Sequence, residues 1–340
     1  MSLLLAISIF IISTIIIIFA GTTLTKYADQ LANKTGIGQA FVGAVFLGGV
    51  TSIAGIITSV SSAYNNHPEL AISNAIGGIA AQTIFLSIAD ISYRKINLEH
   101  ASASLANLMQ GVLLIGLLTL VILGIVSPNF TVFNIHPISY IIIIVYLVGS
   151  RMIAVAKEKP MWNPKITVST VEDKPDKEAI EDINLKNLII KFVLLSVLVG
   201  GSGYAIAMSG ITISNETDLG EGFVGSLMTA VATSLPELIV TLAAVRQKAL
   251  ALAVGNVIGG NSFDVLFVAF SDIAYQDGSI LHNIQTDQSF IIALTMLMVS
   301  VLVMGLLHRQ RKGIANIGWE STLILALYII GNIFLYFFFS

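Results

Sequence analysis

The chain has 340 residues, of which 55 % are hydrophobic and 11 % charged, with a mean hydropathy of +0.88. A soluble domain covers itself with about 25 % charged residues, so a soluble globule is excluded and lipid must be the second solvent. The net charge of −3 leaves no footprint for nucleic acid, and the absence of cysteine excludes disulfides, thiolate metal sites and cysteine nucleophiles.

Apolar runs between polar breaks predict ten membrane-spanning helices, at 3–24, 37–63, 69–92, 103–126, 138–156, 187–210, 220–245, 250–274, 289–307 and 316–338. The first has no basic lead-in and is long enough to span, so it reads as a helix and not as a signal peptide. All 17 Lys and Arg fall in alternate connections. Lys26 and Lys34 lie between spans 1 and 2, and Arg94 and Lys95 between spans 3 and 4. Eight basic residues from Arg151 to Lys191 surround the connection between spans 5 and 6. Arg246 and Lys248 follow span 7, and Arg309, Arg311 and Lys312 follow span 9. The positive-inside rule then makes these connections cytoplasmic and puts both termini outside. The short loops suggest the inner membrane of a prokaryotic cell. The polar stretch 157–186 reads as a cytoplasmic linker between halves 1–156 and 187–340. Its acids (Glu158, Glu172, Asp173, Asp176, Glu178, Glu181 and Asp182) lack the spacing of a calcium loop.

The two halves repeat. Residues 41–91 match 223–273 at 15 of 51 positions, with a constant offset of 182 and no gap. Phe41-Val42-Gly43 pairs with Phe223-Val224-Gly225, and Thr51-Ser52 with Thr233-Ser234. Asn74, Gly77 and Gly78 pair with Asn256, Gly259 and Gly260, and Asp90-Ile91 with Asp272-Ile273. Matched Thr, Ser, Asn, Gly and Asp argue for common ancestry, because shared membrane composition would scatter matches among Ile, Leu and Val. Five spans separate the copies, so the two five-helix repeats are inverted, an architecture of secondary transporters with a midplane ion site.

Candidate chemistry concentrates in the second half. Ala232-Thr233-Ser234-Leu235-Pro236-Glu237 sits inside span 7, where a carboxylate is expensive and is read as a functional site, the alternative being a proline kink with a snorkelling or partnered Glu. Pro236 has no N–H for the carbonyl of Ala232, and a freed carbonyl beside hydroxyls and a carboxylate suits a hard cation. Thr233, Glu237 and Thr241 share one helix face. Span 8 carries Gly255-Asn256-Val257-Ile258-Gly259-Gly260-Asn261-Ser262-Phe263-Asp264, in which Asn261 and Asp264 share a face. Its amides either ligate an ion or bond across a small-residue packing seam.

This motif pair resembles the second signature repeat of the sodium/calcium exchanger superfamily, the cation/calcium antiporters. The resemblance covers nearly the whole chain and implies an all-α membrane protein of ten helices in two inverted repeats. It implies a Na+- or H+-coupled cation antiporter with four ion sites clustered between spans 2, 3, 7 and 8. By position, Glu237 and Asn261 match the second-half ion ligands, and Thr233 and Ser234 the hydroxyl and carbonyl positions. The first half departs from the pattern. It reads Thr51-Ser52-Ile53-Ala54-Gly55, so Gly55 stands where the acid is expected, Ile79 where an Asn or Asp is expected, and Gln82 opposite Asp264.

The expected function is therefore alternating-access antiport of inorganic cations with no cofactor. Glu237 would be the central ligand and Asn261 the second metal ligand, while Thr233, Ser234, Asn256, Asp264, Thr51, Ser52 and Asn74 complete the site. Na+ is one ion; its counter-ion is Ca2+ by resemblance, or H+ or K+ because one carboxylate balances a monovalent ion better. Asp264, Asp90 and Asp272 are further sources of charge, placed toward helix ends. The alternative is a scaffold or regulatory homologue that has lost exchange along with its first-half acid. No grouping of nucleophile, base and orienting acid suggests an enzyme. The five histidines, His67, His100, His136, His282 and His308, fall in loops and are expected to be solvated, and two sequons, Asn129-Phe130-Thr131 and Asn215-Glu216-Thr217, fall on the outer side.

Overall fold

The computed structural model describes residues 1–35, 40–93, 96–102, 104–168, 170, 184–311, 313 and 317–339. Arg94, Lys95, Lys174, Lys177, Lys312 and the linker acids from Glu172 to Asp182 lie outside the described residues, as do the side chains of Phe41 and Val42. Among the described residues there is no strand, only a bridge between Val132 and Ile135.

Among the described residues nine helices are long and apolar enough to cross a membrane, and a bent pair of helices makes ten candidate spans in the predicted order. They are Leu3–Ala32, Val45–Thr51 with Ile53–Tyr64, Pro68–Ser92, Leu105–Val126, Pro137–Glu158, Leu185–Glu216, Glu221–Arg246, Leu250–Ala274, Thr286–His308 and Trp319–Phe338. Spans 1 and 6 are longer than expected, 30 and 32 residues, and as repeat partners they lengthen together. Span 2 departs from the uninterrupted helix expected at 37–63. It bends by 67° at Ser52, whose φ of −91° and ψ of 7° leave the helical region. The Gly48-Gly49 pair just before the bend weakens the helix there. The bend frees Ser52 to reach span 8.

Burial separates the interior from the lipid face. The central window of span 3 is 94 % buried and that of span 8 is 67 % buried, against 22 % for spans 1, 5, 6 and 10. The last group shows Leu4, Ile12, Phe19, Leu194, Val197 and Phe337 on the outside, as the bilayer requires.

The repeat is visible as pairs of equivalent contacts. A Cβ on Gly203 of span 6 would lie 2.6 Å from the carbonyl of Ala54 in span 2. The equivalent Gly21 of span 1 would meet Pro236 of span 7 at 2.8 Å. Asp90 accepts from the backbone N–H of Leu98 at 2.7 Å and of Gly318 at 2.9 Å. Its counterpart Asp272 accepts from Ile280 and His136, both at 2.8 Å, and from the Ser139 hydroxyl at 2.6 Å. Each backbone donor around Asp90 is 182 residues from one around Asp272. Both aspartates therefore clamp connections to the ends of spans 3 and 8, and their charge is spent on backbone donors.

Candidate functional site

Spans 2, 3, 7 and 8 meet around a cavity of about 10 Å³ lined by Ser52, Gly55, Asn74, Gly78, Gln82, Thr233, Ser234, Glu237, Asp264 and Phe267. That volume holds about one water-sized occupant. Glycine makes the close approach. A Cβ on Gly77 would collide with the Ser226 backbone, so span 3 lies directly against span 7, while the next residue, Gly78, faces Ser234.

Asp264 is held by two residues of the other half. It accepts 2.6 Å bonds from the Ser52 hydroxyl and from the Gln82 amide. Gln82 is its repeat partner, so these two meet across the pseudo-twofold axis. The expectation that Asp264 sits toward a helix end is corrected. Regular helix does stop at Asp264, but only for one turn residue, Val265, and helix resumes at Leu266–Ala274. The carboxylate thus stays inside the span, 2 % exposed.

Glu237 lines the same cavity from span 7, and its Oε2 has no hydrogen-bond partner among the described residues. The Oε1 of Gln82 is equally unpartnered. Span 7 runs through Pro236 as continuous helix from Ala230 to Arg246, preceded by a π turn at Val224–Thr229. Membrane helices tolerate such a proline when neighbours fill the gap, and here the close-packed Gly21 lies against the ring. Asp264 is buried, Glu237 is half-buried with its Oε2 enclosed, and no Lys, Arg or His is among the lining residues, so the two carboxylates, if ionised, have no counter-charge there.

The remaining expected residues divide. Ser52, Asn74, Thr233 and Ser234 line the cavity with the two acids. Asn74 is also a strut, donating to Ser59 at 2.8 Å and accepting from Thr229 at 2.7 Å. Thr233 donates to the Thr229 carbonyl at 2.9 Å, which leaves its lone pairs toward the cavity. Thr51, Asn256 and Asn261 do not line it. Thr51 bonds to the carbonyl of Gly48, its own helix. Asn261 reaches Ile79, its repeat partner, through the carbonyl at 3.3 Å, and Thr83 at 3.2 Å, as a bond between spans 3 and 8. Asn256 is exposed, whereas Asn74, the same residue in the other repeat, is 2 % exposed.

Sequence reasoning did not put Gln82 or Phe267 in the site. The offset of 182 pairs Gln82 with Asp264, and that pairing was the available signal. Phe267 gave none, because its match to Phe85 reads as packing. Two of the expected solvated histidines are also corrected. His100 and His136 are 4 % and 3 % exposed. His100 bonds the Arg309 carbonyl at 2.5 Å, and His136 stands beside the Ser127 hydroxyl at 3.1 Å.

With this geometry in place, comparison with known proteins gives a consistent result. The family model for the sodium/calcium exchanger protein matches residues 5–152 and 187–339. An uncharacterized membrane protein of Methanocaldococcus jannaschii is 24 % identical over 330 residues, covering 96 % of this chain and 97 % of that protein. Among solved structures, the H+/Ca2+ exchanger CAX superposes with a TM-score of 0.71 at 13 % identity, covering 98 % of this chain and 82 % of that one. The sodium-calcium exchanger NCX_Mj, soaked with Na+ and Sr2+, superposes with a TM-score of 0.60 at 19 % identity, covering 97 % and 98 %. At these identities the two structures show a shared fold.

Proposed function

Because this chain belongs to the sodium/calcium exchanger family, we propose that it is a secondary active antiporter that moves Ca2+ against Na+ or H+ through the cavity between Glu237 and Asp264. The observation that carries this reading is the pair of carboxylates, buried Asp264 and half-buried Glu237, in one small cavity with no basic residue among its lining. Counting the signature-motif acids alone, with Gly55 in place of the first, leaves Glu237 as a single carboxylate and suggests a monovalent cargo. Asp264 supplies the second charge from the same half as Glu237, and two carboxylates suit a divalent ion. Ser52, Thr233 and Ser234 offer neutral oxygens, and Asn74 and Gln82 hold the wall in register.

Inverted repeats supply the motion. When one repeat takes up the other's conformation, the same site faces the other side of the membrane. The buried Asn74 and exposed Asn256 support a state closed on one side and open on the basic-loop side. In this reading the protein sits in the cell membrane with its basic loops in the cytoplasm. The test is radiolabelled Ca2+ uptake into proteoliposomes loaded with Na+, or with an outward H+ gradient, beside Glu237→Gln. Gradient-driven uptake lost in Glu237→Gln supports the reading. Well-folded protein that moves no Ca2+ under either gradient overturns it and restores the scaffold.

A further inference from the structure

The repeat puts Gly55 where the second half has Glu237, and the space that an acid would take there is filled. A Cβ on Gly55 would lie 2.7 Å from Cε2 and 3.3 Å from Cζ of Phe267. Phe267 reaches the cavity from span 8, is 4 % exposed, and packs edge-on against Phe263 with ring centroids 6.4 Å apart. Phe263 in turn packs edge-on against Tyr146 at 5.7 Å. The ring is therefore braced from behind and cannot swing away without disturbing an aromatic stack. Its repeat partner, Phe85, does not line the cavity. At the Gly55 position, where the repeat would place a second acid opposite Glu237, the wall of the cage is thus hydrocarbon.

Building on the antiport reading, we propose that Phe267, seated on Gly55, restricts the cavity to one cation at a time, bound between Glu237 and Asp264. Volume and charge agree. About 10 Å³ admits a single ion-sized occupant. The formal charge of the two acids, −2, is balanced by one divalent ion, by two monovalent ions, by two protons, or by one monovalent ion with one proton, and of these the volume excludes the pair of monovalent ions. A hydrocarbon wall offers no ligand to a second or third cation. Cargo and driving ion must then exclude each other, and neither binds cooperatively.

Equilibrium binding to the purified full chain reads this directly, with radiolabelled Ca2+ displaced by Na+. The expected result is one Ca2+ per chain and a Na+ displacement curve with a Hill coefficient of about 1, because the coefficient cannot exceed the number of coupled sites. The double variant Gly55→Glu with Phe267→Ala restores the acid and clears its space, and its Na+ Hill coefficient should rise toward about 2. A packing role alone would change the melting temperature and leave that coefficient unmoved. A wild-type Hill coefficient of about 2 or more overturns the single-ion cavity while leaving antiport standing. A folded chain that binds neither ion removes both readings. The wild-type curve needs no variant to fold, so it decides the matter alone.

Discussion

Asp264→Asn separates charge from structure at the centre of the protein. The amide is nearly the same size, its oxygen can still accept from Gln82, and the Ser52 hydroxyl can turn to accept from its nitrogen. The fold should hold, and the loss is one negative charge facing the cavity. For a carboxylate about 4 Å from a divalent ion that charge is worth about 8 kcal/mol at an effective dielectric near 20, and half as much for a monovalent ion. If relaxation and water leave a quarter of this, the cost is about 2 kcal/mol, or roughly thirty-fold in Ca2+ affinity, against about 1 kcal/mol and fivefold for Na+. The assay is the half-saturating Ca2+ and Na+ concentration for exchange in proteoliposomes, with melting in detergent as the control. Asp272→Asn, eight residues along the same span, makes the same chemical change where three donors converge. It should lower stability by about 1–3 kcal/mol for each donor left unpaired, with half-saturation unchanged. An Asp264→Asn protein that exchanges with wild-type half-saturation for Ca2+ would refute the two-carboxylate site.

Other consequences are local. Gly77→Ala sets a Cβ against the Ser226 backbone and should cost about 1–3 kcal/mol in stability. Gly78→Ala meets Ser234 Oγ at an ordinary 3.5 Å and should melt close to wild type. Equal melting of the two would refute the direct contact of spans 3 and 7. Burial, followed by the nearby charges of Asp90 and Glu320, holds the Glu99 carboxyl well above its ordinary value of 4.5. The folded state therefore keeps a proton that the unfolded chain releases, so this stability is present below that ordinary value and is lost as pH rises toward the raised one. Glu99→Gln, which mimics the protonated acid, should melt higher than wild type at about pH 8, with a gap that shrinks by about pH 5. A gap that does not change with pH would sink the assignment.

What could be read from the sequence follows from which forces are local. The ten spans are legible because apolar length and basic loops are properties of the chain alone. The offset of 182 also carries three-dimensional information, since a pseudo-twofold axis brings equivalent positions together. The Gln82–Asp264 and Ile79–Asn261 contacts are both of this kind. The bend at Ser52 is not legible. Gly48 and Gly49 weaken the helix, but Asp264, 212 residues away, supplies the partner for the residue that turns. The depth of Asp264 was missed because a local stop in the helix resembles an end unless the helix is seen to resume. Burial of His100 and His136 depends on loops folding back over them, which periodicity does not encode. The place of Phe267 depends on a missing side chain at Gly55, and only the assembled cavity shows what fills it.

Asn74 and Asn256 are the most informative failure of sequence reading, and they carry a prediction of their own. The two residues are identical, sit at equivalent positions in spans 3 and 8, and are followed by the same Gly-Gly pair, yet one is buried and the other exposed. Part of this is written in the sequence, since Leu47 stands where Thr229, the donor to Asn74, sits in the other repeat; alternating access would add a part that changes with the state of the molecule. The clamps at Asp90 and Asp272 are formed alike in both halves and so belong to the parts that keep their shape. Asn74 is instead gripped by Ser59 and Thr229, a grip that Asn256 lacks in this state. Because the chain has no cysteine, single-cysteine variants report accessibility against no background. Cysteine is smaller than asparagine, so Asn74→Cys and Asn256→Cys should both fold. In inside-out vesicles, an impermeant maleimide should modify residue 256 at least about tenfold faster than residue 74, since the latter reacts only through local opening. Conditions that favour the opposite state should speed residue 74 in right-side-out vesicles and slow residue 256 in inside-out vesicles, because inverted repeats exchange conformations. Equal rates at both positions under every condition would mean that the asymmetry is a fixed feature of the fold and not one face of a transport cycle.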